Sequence, residues 1–162
     1  MVAGRMKART TTAREALDRR AEEMLHDLKC AGFKMTPQRM AIVRLFARDL
    51  GHPTAQDLFE RLRPAFPSMS FATVYNTLDT LAQMGLSRTL RLGDAKGGAR
   101  FDPNPDPHHH AVCDACGAIL DLPAPSLLPA KGEALMVRER APGFTVRAVE
   151  HVYRGVCASC HG

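Results

Sequence analysis

Four of the five cysteines in this 162-residue chain fall into two pairs of identical spacing, Cys113-x-x-Cys116 and Cys157-x-x-Cys160. Thiolates so spaced suit zinc, which takes four sulfurs as a tetrahedron at about 2.3 Å from each. Gly117 follows the first pair, as in a zinc knuckle. Residues 117–156 separate the pairs, a longer gap than a usual zinc ribbon has, so a β-α-β excursion must return the second pair to the first. With every ligand position filled by protein, such a zinc holds the fold and performs no chemistry. The alternative for the same residues is four buried thiols kept reduced.

A second set of ligand-type residues contains no cysteine: His52 before Pro53, Asp102, the triplet His108-His109-His110, and Asp121. Alternate strand positions share a face, so His108 and His110 converge while His109 points away. Imidazole mixed with carboxylate suits iron(II), manganese(II) or zinc, whereas copper(I) calls for thiolate or thioether. Singly, each residue has a plainer role: His52 in a turn, Asp102 at a strand end, His109 solvated, Asp121 on the surface. His52 and Asp102 precede the segment Pro103-Asn104-Pro105-Asp106-Pro107, and the others follow it. One ion bound by all of them would fix the angle between two halves and so act as a switch.

The elements that must position these residues divide at that proline-rich segment, which forbids helix and reads as a hinge over residues 103–107. Ahead of it, Leu17, Ala21, Met24, Leu25 and Leu28 recur at helical spacing up to Gly32. Thr36-Pro37 opens a second helix with Ile42, Leu45, Phe46 and Leu50 as its buried stripe, ending at Gly51. Thr54 opens a third with Asp57 in a capping-box position, running to Pro64. Ser70 caps a fourth, whose Val74, Leu78 and Leu81 share one face and leave Thr73, Tyr75, Asn76 and Thr80 on the others, until Gly85. Leu86, Leu90 and Leu92 then alternate beside Arg88 and Arg91; residues 93–98 turn, and Ala99–Asp102 returns. Helices followed by a basic hairpin predict a winged helix over residues 15–102, with the fourth helix in the DNA major groove and Arg88 and Arg91 beside the backbone. After the hinge, residues 108–162 predict a small metal-binding and dimerisation domain. Its strands are His109–Cys113 and Ala118–Leu122, its helix Ala134–Arg140, and its last strand Phe144–Val156. About 60 residues are marginal alone, which favours a metal staple and a second copy. The fold class is therefore α+β.

Lys plus Arg number 22 against 17 Asp plus Glu, a net charge of +5. That balance favours an acidic partner such as nucleic acid without requiring one. No stretch reaches the roughly 18 apolar residues of a membrane span and no secretory signal is visible, so a cytoplasmic location with reduced thiols is expected. Residues 1–14, basic and Thr-rich, read as a flexible arm. Cys30, outside both pairs, reads as a small buried hydrophobe.

Met35-Thr36-Pro37-Gln38-Arg39, Gly51-His52-Pro53-Thr54-Ala55, Ala72-Thr73-Val74-Tyr75-Asn76-Thr77-Leu78 and His108 through Gly117 stand in the order found in the ferric uptake regulator (Fur) family. The chain closely resembles that family over roughly residues 15–162. The resemblance implies a winged-helix domain joined to an α/β dimerisation domain, acting as a metal-loaded repressor, with Tyr75 helping to read bases. Two recognition helices in a homodimer would read a pseudo-palindromic operator in double-stranded DNA. Within the family the pattern is most similar to the peroxide-sensing PerR branch, which implies a regulatory iron(II) or manganese(II) held by His52, Asp102, His108, His110 and Asp121. Iron-sensing relatives commonly carry glutamate where Asp121 stands, and a further histidine ligand where this chain has Val149. His151, two residues on, leaves a secondary site open. The resemblance further implies that iron(II) cleaves hydrogen peroxide, with His52 and His108 the oxidation targets.

Other functions compete. An iron- or zinc-responsive repressor without peroxide sensing is the nearest, although a zinc sensor usually recruits a regulatory cysteine and only Cys30 is spare. A haem-responsive relative would carry the histidine triplet but lack both cysteine pairs. A metal-dependent hydrolase would need a general base and a substrate loop, and a metal-storage protein would leave the Ser70–Gly85 helix and the basic hairpin unexplained.

Overall fold

The computed structural model describes residues 3–90, 98–123, 137–146 and 149–161, with side chains from residue 14 onward. The chain divides into two compact units, Met1–Pro105 and Asp106–Gly162.

The first unit holds α1 (Ala3–Cys30), α2 (Pro37–Ala47), α3 (Ala55–Leu62), α4 (Phe71–Gln83) and the antiparallel strands β1 (Arg88–Leu90) and β2 (Arg100–Asp102). This is a winged helix. The cap residues act as their types dictate. Thr36 accepts from the Arg39 amide ahead of Pro37, Thr54 and Asp57 form a reciprocal capping box, and Ser70 accepts from the Thr73 amide. At the end of α4, Gly85 takes φ 71°. That left-handed turn lets the Gly85 and Leu86 amides donate to the Ala82 and Leu81 carbonyls and stops the helix. Leu28, Ile42, Phe46, Leu58, Val74, Leu78, Leu81 and Phe101 are all buried in one core.

Three expectations fail here. The first helix begins at Ala3, inside the stretch read as an arm, because no proline interrupts residues 1–36 and Ala, Arg, Met and Lys extend a helix readily. Cys30, in its last turn, is exposed rather than buried, with its sulfur 3.5 Å from His26 Nε2 one turn earlier on the same face. The second helix ends at Ala47, not Gly51. Leu50 is 63% exposed rather than part of the buried stripe, since Asp49 caps the Gly51 amide and turns the chain out of the helix. The tip of the hairpin, including Arg91, lies outside the described residues.

In the second unit, β3 (His109–Cys113) is central. It is flanked by antiparallel β4 (Ile119–Leu122) and parallel β5 (Val152–Gly155). Residues 137–140 are helical, and the expected beginning of that helix lies outside the described residues. The last strand is four residues long and does not begin at Phe144. Gly143 turns there and the Phe144 amide bonds back to Ala141. The ladder runs only where β3 supplies partners, from His110↔Val152 to Cys113↔Gly155.

Candidate metal centres and recognition helix

The β3–β5 register assembles the cysteines. Cys113 ends β3 opposite Gly155, and the Asp114 amide donates to the Gly155 carbonyl at 2.8 Å. Cys157, two residues on, therefore arrives beside Cys113, and its amide donates to the Cys113 sulfur at 3.3 Å. Gly117, at φ 73°, closes the knuckle so that its amide reaches the Cys113 carbonyl at 2.8 Å. The Cys160 amide likewise folds back onto the Cys157 carbonyl at 2.9 Å. Across the cluster, Arg154 pairs with Asp114 at 3.1 Å.

All four sulfurs lie within 4.8 Å of one another. Those of Cys116 and Cys157 are 3.8 Å apart, too far for a disulfide. Four sulfurs at about 2.3 Å from one centre stand about 3.8 Å apart along each tetrahedral edge, so the donor set fits zinc. Electrostatics point the same way. The backbone amide of Cys157, then that of Cys116, draw the Cys113 thiol down from 9.0 to about 6. Hydrogen bonding with the Cys157 and Cys116 sulfurs pushes Cys160 up from 9.0 to about 12. Ionising one thiol thus opposes ionising its neighbours, and a dication removes that conflict.

On the same sheet, His110 pairs with Asp121 across β3 and β4. The Oδ1 of Asp121 stands 3.2 Å from His108 Nε2 and 3.9 Å from His110 Nε2, and the two imidazole centroids are 4.4 Å apart. His108 Nδ1 is 2.7 Å from the Asp106 carbonyl oxygen. A carbonyl only accepts, so Nδ1 carries the proton and Nε2 is the nitrogen that could face a metal. His109 faces away, stacked on His151 at 4.9 Å. Its Nδ1 accepts from the His151 amide.

In the first unit, His52 Nε2 is 3.8 Å from Asp102 Oδ1. The turn bearing His52 is stitched to β2. Phe101 donates its amide to the Pro53 carbonyl at 3.0 Å, Thr54 bridges to Arg100, and the Arg100 guanidinium reaches the His52 carbonyl at 3.4 Å and Asp57 at 3.8 Å. His52 adopts φ 55°, a left-handed backbone unusual for a residue with a side chain. Asp102 Oδ1 accepts from the Asn104 amide at 2.7 Å. Arg100 and the Asp106 carbonyl escaped the sequence analysis: nothing in residue type marks a strand arginine or a backbone oxygen as support for a ligand.

On α4, Tyr75 and Asn76 are exposed, while the Thr73 hydroxyl is engaged 2.9 Å from that of Ser70 in the cap. Arg88 is half-buried in β1. Phe71, also exposed, joins Tyr75 on this surface with ring centroids 6.3 Å apart. Its residue type gives no such signal, because an aromatic at a first helical position reads as core. Among the described residues, no helix is long and apolar enough to cross a membrane.

Residues 30–160 match the ferric uptake regulator family. The peroxide-responsive repressor PerR of Staphylococcus epidermidis is 36% identical over 146 residues, 90% of this chain and 93% of that protein. Among solved structures, the Helicobacter pylori ferric uptake regulator Fur superposes with a TM-score of 0.67 at 20% identity, over 90% of this chain and 94% of that one, a likeness of fold. The Francisella tularensis ferric uptake regulator, solved with iron, gives 0.62 at 25% identity over 81% and 96%. The chain belongs to the ferric uptake regulator family.

Proposed function

We propose that this chain is a metal-dependent, DNA-binding repressor that senses hydrogen peroxide. The observation carrying this reading is the convergence of His108 and His110 on one carboxylate oxygen of Asp121, in a chain 36% identical to a peroxide-responsive repressor. The resemblance to that repressor adds His52 and Asp102 to the residues expected to hold iron(II) or manganese(II). The mixed imidazole and carboxylate donors suit such ions. Zinc sits apart, in the four thiolates. Iron(II), when bound, supplies the electron that cleaves hydrogen peroxide. His52 and His108 are the imidazoles that would take up one oxygen atom of the peroxide at a ring carbon, the other oxygen leaving as water, and a ring so oxidised would no longer offer a basic nitrogen to the metal. The operator contacts come from Tyr75 and Asn76 on α4, with Thr73 beside them, and from Arg88 and Arg91 on the wing. Regulation rather than hydrolysis is the activity of this family.

A homodimer accounts for the second unit's surface. Val152, Tyr153 and Val156 on and after β5, and Leu120 on β4, are exposed apolar side chains, and among the described residues β5 lies at the edge of its sheet. A symmetric dimer would read a pseudo-palindrome.

Mass spectrometry of the iron-loaded protein after brief peroxide treatment tests the sensing step. One oxygen atom, about 16 daltons, is expected on His52 or His108. An unmodified pair would return the chain to a plain metal-responsive regulator.

A further inference from the structure

We propose that Phe101 is a positioning residue that couples the ligand pair His52–Asp102 to the exposed face of α4, so that whatever draws those two ligands together also sets how Tyr75 meets DNA, an inference that rests on the DNA-binding function proposed above. Phe101 stands between the two ligand positions in a literal sense. Its carboxyl side is bonded to Asp102, and its amide donates to Pro53, the residue after His52. Strand alternation puts Arg100 and Asp102 on one face of β2 and sends the Phe101 ring to the other.

That ring is 2% exposed and meets Tyr75 edge to face, with centroids 6.2 Å apart and planes at 85°. Tyr75 itself is 42% exposed. One side of the phenol is thus fixed by the core while the other is available to a partner. Phe71 touches Tyr75 at 6.3 Å and Phe59 at 6.1 Å, continuing the row of rings onto α3. A close-packed interior passes on a small displacement rather than absorbing it. A change in the His52–Asp102 separation moves the Pro53–Phe101 hydrogen bond and with it the ring against which Tyr75 rests. Selectivity for sequence, set by Tyr75, therefore depends on the ligand state within the first unit itself.

The test uses the full-length, zinc-containing protein with manganese(II) as the metal probe. Two duplexes serve: the strongest one selected by the manganese-loaded protein from a random pool, and a scrambled version. The readout is the ratio of the two affinities with and without manganese, for wild type, Phe101→Leu, Tyr75→Ala, the double variant of these two, Tyr75→Phe, and Phe101→Leu combined with Tyr75→Phe. Leucine keeps apolar bulk and removes the ring edge. The manganese-dependent rise in the ratio is expected to shrink roughly two- to tenfold in Phe101→Leu, with manganese affinity and scrambled-duplex binding unchanged. The double variant should lose no more than Tyr75→Ala alone, whereas Phe101→Leu placed on Tyr75→Phe, which keeps its ring, should still cost the same factor. An unchanged rise in Phe101→Leu, multiplicative losses in the double variant, or a parallel fall in scrambled binding would each overturn the proposal. Wild-type protein that does not distinguish the duplexes would remove the DNA-binding function and this coupling with it.

Discussion

His110 and Asp121 are direct cross-strand partners in the β3–β4 ladder, so the register of one short hairpin, rather than a flexible loop, delivers the carboxylate to both imidazoles. The hairpin is tied at its other end by the Cys113 amide, which bonds to the Ala118 carbonyl at 2.9 Å. The zinc knuckle and the second ligand set thus share one structural element.

Replacing Asp121 with Asn keeps the shape and removes the charge. Manganese affinity should fall roughly tenfold or more, while zinc content stays the same. Calorimetric titration and metal analysis check both, and a variant that lost zinc as well would show that the hairpin had come apart.

His52 tests backbone against ligand. Asn tolerates the left-handed φ of 55° and Val does not. His52→Asn should therefore melt near the wild-type temperature and lose its DNA response to metal. His52→Val should lose the response and about 1–2 kcal/mol of stability besides.

The thiols predict opposite pH slopes for the zinc-free protein. Cys113 is lowered from 9.0 to about 6, so between those values the folded state holds fewer protons than the unfolded one, and stability rises with pH. It is lost as pH falls toward 6. Cys160 is raised from 9.0 to about 12, so above pH 9 the folded state holds more protons and stability declines. Chelator-treated protein should be most stable near pH 9, and Cys113→Ser should flatten the acid limb. With zinc bound the whole curve should lie higher. Thermal melts across pH check the shape.

Arg88→Ala with Arg91→Ala should weaken binding to every duplex alike and lower the salt slope by about one unit for each phosphate no longer neutralised. Tyr75→Ala should leave the slope intact and flatten sequence preference. Binding isotherms at several salt concentrations separate the two effects.

Much of the fold is legible in residue order because local chemistry dominates it. Thr36-Pro37, Thr54 with Asp57, and Ser70 start helices wherever they occur with apolar periodicity behind them. The cysteine spacing announces a tetrahedral site. Leu50 and the last strand depart from expectation because each depends on a partner: a helix can end early when Asp49 offers its own cap, and β5 can only be as long as β3 permits. The supports of the ligands are hidden for the same reason. Arg100 matters through the His52 carbonyl, and Asp106 through its backbone oxygen rather than its carboxylate.

The most direct test of peroxide sensing is DNA binding by the zinc-containing protein loaded anaerobically with iron(II) or manganese(II), before and after a small excess of hydrogen peroxide. Peroxide sensing requires binding with either metal and its loss after peroxide with iron alone. Binding that survived peroxide in the iron-loaded protein would contradict it.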